Sequence, residues 1–261
     1  MNRIRSTWIT TPLILVLFLG LWHWYVTAFN VSRFIVPPPA AVAESFIDLL
    51  STASTFRHTW ITLYETLAGF VIACVVGVGL GAILGKTPWL EKALNPFIVA
   101  TQVVPKVALV PLFILWFGFG PEAKIVVAAV LAFFPILTNT VLGVKSVDLG
   151  HRDVMTVMNA NRWQRFVCLE LPSALPAILA GMEVGVVLAI IGAVVGEYLG
   201  GSTGLGHLAV AALNDYKVGA MFAVILLLTL LGFALYVCVG LLKKVLIPWH
   251  ESVVDTVRTT V

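Results

Sequence analysis

Polar and apolar residues in this chain fall into long blocks rather than alternating or recurring on one helix face. A membrane-crossing helix needs about 20 mostly apolar residues. Six blocks meet that length, at about 8–29, 60–84, 96–118, 123–143, 173–198 and 218–242. The third is the weakest, because Pro105, Lys106 and Pro111 interrupt it. Between the first two lies VSRFIVPPPAAVAESFIDLLSTASTFRH, a proline triplet followed by a short amphipathic helix. That segment is too polar to span and is expected to lie along the membrane surface. Between the fourth and fifth blocks lies RDVMTVMNANRWQRFVCLELPSALP, from Arg152 to Pro176, polar enough to face water.

Composition agrees with the blocks. The 261 residues are 60% hydrophobic and 11% charged, against about 25% charged in soluble domains. Lipid is therefore the solvent for most of the surface. The net charge of +3 gives no reason to expect nucleic acid as a partner. The basic start and apolar run at the N-terminus look like a signal peptide, but Trp22, Trp24 and Tyr25 close the run and no small-residue cleavage site follows. It reads as an uncleaved first span. Cys74, Cys168 and Cys238 have no metal-ligand spacing, so neither a disulfide framework nor a metal site is expected.

The basic residues orient the spans. With the N-terminus inside, Arg3, Arg5, Lys86, Lys92, Lys145, Arg152, Arg162, Arg165, Lys243, Lys244 and Arg258 are cytoplasmic. Arg33, Arg57, Lys124 and Lys217 then fall outside. Both termini and the Arg152–Pro176 loop are expected in the cytoplasm. The chain divides into a first span with its external segment (1–59), a core (60–245) holding the loop at 145–172, and a tail (246–261).

Small residues recur every fourth position at Gly77, Gly81 and Gly85, at Gly181 and Gly185, and at Gly192, Gly196 and Gly200. Such spacing lets helices approach closely in lipid, and packing within one bundle is favoured over a subunit interface. Within the cytoplasmic loop, Asp153 is expected near a helix start, where a carboxylate meets the positive dipole end. Val154, Met155, Val157 and Met158 give that helix an apolar face. Asn159 then offers the left-handed residue that ends helices. A second amphipathic piece carries Trp163, Phe166 and Val167, and Pro172 suits the first turn of the fifth span. The loop is either a docking knob for a soluble partner or an interfacial helix on anionic lipid.

Charges inside the membrane are functional candidates. Lys106, between Pro105 and Pro111, lines a translocation path, snorkels, or pairs with Glu183 or Glu197. Glu197, at the outer end of the fifth span, contacts a delivery partner, closes a gate or is solvated at the interface. Glu65 and His23 are expected to be interior hydrogen-bonding residues. The stretch GSTGLGHL, with Gly204 and Gly206, is expected to form a flexible re-entrant turn. It lacks the strand and helix of a nucleotide loop, and no GxxxxGK[ST] phosphate loop occurs.

The loop resembles the EAA loop of ABC importer permeases. Asp153, Val154 and Met155 occupy the E-A-A positions, Asn159 the glycine, followed by Ala160, and Leu171-Pro172 closes the motif. Val154, Met155 and Asn159 depart from the pattern. The stretch VVPKVALVPLFILWFGFGPEAKIVVAAVLAFFPILTNTVLGVKSVD resembles the nitrate, sulfonate and taurine branch, as does AIIGAVVGEYLGGSTGLGHL. Together with PPPAAVAESFIDLL and TLYETLAGFVIACVVGVGLGAILG, these cover most of residues 34–245.

The resemblance implies an all-α, polytopic bundle of about six membrane helices with the type I ABC importer permease fold and a cytoplasmic coupling helix. It implies a multi-pass protein of the bacterial inner membrane, working as a homodimer. Two cytoplasmic ATPase subunits would bind ATP and Mg, leaving no cofactor and no catalysis to this chain. A solute-binding protein would deliver a small solute, anionic or a related organic molecule. The alternative is a secondary transporter or channel relaying ions through Lys106, Glu183 and Glu197, although no inverted repeat is evident. A membrane enzyme fits less well, because the histidines are scattered.

Overall fold

The computed structural model describes residues 2–249, so the tail from residue 250 lies outside the described residues. The described chain is helical throughout: α1 (Asn2–Ala28), α2 (Pro39–Ser51), α3 (Ala53–Lys86), α4 (Pro88–Val103), α5 (Val110–Phe117), α6 (Pro121–Lys145), α7 (Leu149–Val157), α8 (Arg162–Arg165), α9 (Leu171–Gly200), α10 (Leu205–Asn214) and α11 (Val218–Leu246). Prolines punctuate it where their missing N–H costs least, at the first turns of α2, α4, α5, α6 and α9.

Among the described residues, four helical stretches are long and apolar enough to cross a membrane: α3, α6, α11 and the run from Arg162 through α9. The expected span at 96–118 is not one helix. Val104, the residue before Pro105, is extended, as the proline ring demands. A 3₁₀ turn over Lys106–Leu109 follows, and the two arms meet at 82°. Counted as one broken span, they bring the number to five, and α1 adds a shorter apolar stretch, Pro12–Ala28. The amphipathic α2 is present and packs on α11, where Gly219 approaches the Ser45 side chain.

The glycines dictate how the central helices lie. A Cβ on Gly69 would meet Ala128, on Gly77 Ile136, on Gly81 Thr140 and on Gly85 Val144. Partners advance in step, so α3 and α6 run parallel. On α9 the order reverses: Gly181 meets Asn139, Gly185 Ile136, Gly192 Ala128 and Gly196 Lys124. Hence α9 is antiparallel to α6. The shared core of Ala73, Ala128, Ala132, Ile136, Ala189 and Ala193 is essentially inaccessible. The glycine rows therefore serve contact within one chain, as the sequence favoured, and Gly200 packs likewise on Ile114 of α5.

This topology gives the bundle two ends. The end of α3, the end of α6 and the start of α9 share one, where α7 and α8 connect α6 to α9. The start of α3, the start of α6 and the end of α9 share the other, where α10 packs on α3 and α9. Helix α9 alone holds the ends about 45 Å apart at 1.5 Å per residue.

Candidate functional site

At the α7 end, the helix starts a turn earlier than expected. Asp148, not Asp153, is its N-cap, its Oδ1 accepting from the Gly150 N–H at 2.7 Å and the His151 N–H at 3.4 Å. The cause is local: Asp148 is extended and precedes the helical run, the geometry a cap requires. Asp153 sits mid-helix and exposed. Asn159 has φ +56, the left-handed conformation expected of it. The Ala160 N–H donates to Met155 O at 3.0 Å and Met158 N–H to Val154 O at 2.9 Å. Asn161 and Gln164 then form a reciprocal capping box that opens α8. The Arg165 Nε donates back to Ala160 O at 3.2 Å, fixing the angle of the turn.

Side chains on this knob are divided. Met155 and Ala160 are half-buried, but Val154, Val157 and Met158 are 55%, 87% and 71% exposed. Trp163 is also bare. The second amphipathic piece runs through a π turn, Phe166–Glu170, directly into α9. Leu171 and Pro172 are half-buried at that junction. Lys86, at the end of α3, ion-pairs with Glu170 at 2.5 Å and stands 4.5 Å from the centre of the Phe166 ring. Two further pairs brace the same end, Lys145–Glu91 at 2.9 Å and Lys243–Glu183 at 3.2 Å.

The kink at Pro105 sets the surroundings of Lys106. Its ammonium donates to Gln102 O at 3.3 Å and lies 4.8 Å from the centre of the Phe134 ring. It pairs with neither Glu183 nor Glu197. Pro105 and Pro111 are exposed, flanking it on the broken segment. His23, expected inside, is exposed.

At the α10 end Glu197 is 1% exposed, which overturns solvation, one of the three readings offered for it. Its Oε1 accepts from the Thr62 hydroxyl at 2.6 Å and its Oε2 from the Gly206 N–H at 2.7 Å. The Thr62 oxygen in turn accepts from the Leu205 N–H at 2.8 Å, and His58 Nδ1 from the Gly204 N–H at 2.9 Å. Gly204 has φ +98, and a Cβ there would collide with the Glu197 carboxyl. A glycine is thus demanded twice, by conformation and by space. These bonds pin the turn expected to be flexible, and α10 begins at Leu205.

Sequence reasoning missed Lys124, read only as an external charge. It is 2% exposed, packs against Gly196, and donates to Phe119 O at 2.8 Å. Glu65 and Thr66 are buried beside this cluster. The available signal was spacing: His58, Thr62, Glu65 and Thr66 lie one and two turns apart on one face of an apolar helix.

Comparison with known proteins agrees with this architecture. Residues 77–249 match the family described as binding-protein-dependent transport system inner membrane component. The riboflavin transport system permease protein RibX of Chloroflexus aurantiacus is 40% identical over 92% of this chain and 90% of its own length. The formylaminopyrimidine transport permease protein ThiX of Halalkalibacterium halodurans is 34% identical, over 88% and 92%. The putative aliphatic sulfonates transport permease protein SsuC of Bacillus subtilis is 31% identical, over 96% and 91%. In fold, the chain resembles inward-facing conformations of the MetNI methionine ABC transporter, with TM-score 0.65 at 20% identity over 73% of this chain and 95% of that one.

Proposed function

Because this chain belongs to the family of binding-protein-dependent transport system inner membrane components and is the permease subunit of an ABC importer, we propose that α7 is the helix by which an ATPase drives it. The observation that carries this reading is the bare apolar knob of Val154, Val157 and Met158. Exposed apolar side chains on a short, rigidly ended helix suit a groove of a soluble partner. Lipid would cover them equally, but the Asn159 turn and the Asn161–Gln164 capping box hold the helix at a fixed angle, which a transmitted movement requires. ATP and Mg reside on that partner, and the permease switches between states that its partners bind unequally.

In this reading both termini and α7 are cytoplasmic, α10 faces outward, and two copies form the path. The basic-residue asymmetry supports the orientation. The solute is small and delivered by a binding protein. Anionic sulfonate-like molecules are one class, with Lys106 on the broken segment as the attracting charge. Ring-bearing organic molecules are the other, favoured by the names of the two relatives with 40% and 34% identity.

The test is purification with the ATPase subunit encoded beside this gene. Val157→Asp combined with Met158→Asp is expected to weaken association by roughly two orders of magnitude, the size of an interface hot spot, while the permease still extracts and folds. Unchanged association would exclude α7 as the contact.

A further inference from the structure

The cluster at the α10 end contains more than a gate needs for packing. Three consecutive N–H groups, of Gly204, Leu205 and Gly206, open α10, and a helix start leaves such donors without partners of its own. Each is satisfied by a side chain from another helix: His58 and Thr62 on α3, and Glu197 on α9. Caps are ordinarily supplied by the residue just before the helix. Here the residue before α10 is Gly204, which has no side chain to give. The position of α10 and its glycine turn therefore depends on α3 and α9.

The three ties differ in chemistry. Glu197 and Thr62 are inaccessible and bond each other as well as the backbone. His58 is only partly buried, and it accepts through Nδ1. A ring nitrogen accepts only while it carries no proton. The doubly protonated imidazolium donates from both nitrogens and cannot hold the Gly204 N–H. His207 on α10 lies 6.3 Å away, ring over ring, and Arg57 neighbours it on α3. Arg57 carries a positive charge and repels a second one formed on His58. Glu197, Glu65 and Lys124 are the buried titratable groups next inward.

The geometry points to His58 as a positioning residue that latches the Gly201–Gly204 turn and releases it on protonation, with Thr62 and Glu197 as the permanent anchor of α10. The inference rests on the proposed orientation only for its physiological meaning, since it makes the outward face of the permease responsive to external acidity. Histidine is the side chain whose ordinary titration lies in that range.

The experiment places a nitroxide on Ser202→Cys, an exposed position in the turn, in the full chain with Cys74, Cys168 and Cys238 replaced by Ser. Spectra are taken in phosphatidylcholine–phosphatidylglycerol vesicles at about pH 7.5 and about pH 4.5, which reach from above the ordinary histidine range to well below it. The released fraction of label is expected to rise about fivefold on acidification, the loss of one net hydrogen bond. His58→Asn keeps an acceptor oxygen near the Nδ1 position but does not titrate. It should hold the turn at both pH values, whereas His58→Ala should release it at both. Equal mobility at the two pH values in the unsubstituted protein overturns the latch. So does a pH response that survives His58→Asn.

Orientation is read separately, by reacting the Ser202→Cys thiol in intact cells with a membrane-impermeant maleimide. An unreactive thiol overturns the outward placement of α10 and the role in sensing external acidity, while the spectra still judge the latch itself.

Discussion

At one end of α9, Glu197 is sealed from solvent and bonded to Thr62 and to the start of α10. At the other, Val157 and Met158 stand free of the bundle with no apolar neighbour to cover them. The same helix thus joins a region whose buried Glu197 and Thr62 are hydrogen-bonded within the chain to one that leaves its apolar groups uncovered. Burying a carboxyl group costs on the order of several kcal/mol unless hydrogen bonds compensate, and those that hold Glu197 come from within the chain. Leaving a valine bare forfeits up to ~1.5–3 kcal/mol of burial. That is tolerable only on a surface meant to be covered. The first region maintains a position within the chain, and the second, in the proposed function, is covered by the ATPase.

The largest expected effect breaks the self-sufficient end. Glu197→Ala removes the acceptor of the Gly206 N–H and opens a void, while the Thr62 hydroxyl retains His58 O at 3.2 Å. A loss of ~2–4 kcal/mol is expected, read as a fall of several degrees in thermal unfolding of the detergent-solubilised protein. Glu197→Gln keeps one acceptor and should recover at least half of that loss. Should Ala and Gln behave alike, the carboxylate's hydrogen bonds are not what holds α10. At the opposite end, the double substitution of Val157 and Met158 should leave the same unfolding midpoint unmoved while weakening partner association by roughly two orders of magnitude. That contrast is the sharpest form of the comparison.

The two ends were not equally legible in the sequence. The α7 knob was, because its determinants are local: Asn159 and the apolar run from Val154 to Met158 are within one stretch. Only its start was misplaced, since Asp148 competes with Asp153 as cap and sits where the chain is extended. The α10 cluster was not, because His58, Thr62, Lys124, Glu197 and Gly204 come from four separated segments. No spacing rule brings α3 to α10 before the helix packing is known. The break at Pro105 was visible as a weak span, but its 82° bend depends on what the arms pack against. The glycine rows carried the correct packing assignment, yet the parallel order of α3 and α6 became readable only from the partner of each glycine.

An intermediate effect lies in the shared middle, where neither end should respond. A Cβ on Gly69 would stand 2.5 Å from Ala128 Cβ and 2.7 Å from Ile125 O, whereas at Gly79 it meets nothing within 4 Å. Gly69→Ala should therefore cost ~1–3 kcal/mol by forcing α3 from α6. Gly79→Ala, on the same helix, should be neutral or stabilise by up to ~1 kcal/mol through helix propensity. Thermal unfolding of the pair distinguishes helix contact from propensity. Equal shifts would mean the row at Gly69 is not a contact surface.

The smallest effect concerns how the bare end is tied back to the bundle. Lys86 reaches from α3 to Glu170 and over Phe166, the two residues that bound the π turn joining α8 to α9. π turns interrupt helices mostly at functional positions, and this one lies where movement of α7 would enter α9. The pair is partly exposed, at 43% and 24% for the two side chains, so solvent screens it and its worth is at most ~1 kcal/mol. Lys86→Met retains an unbranched chain and a favourable sulfur–aromatic contact but loses the charge. Its expected signature is local: amide exchange across Phe166–Glu170 rises by up to about fivefold, the counterpart of that ~1 kcal/mol, with no shift in global unfolding. Raising the salt to about 1 M should bring the unsubstituted protein toward the variant, because the screening length falls to about 3 Å. Lys86→Arg should behave as the unsubstituted protein. If exchange in Lys86→Met rises equally in the α10 turn, the ion pair supports the whole bundle and the two ends of α9 are not independent.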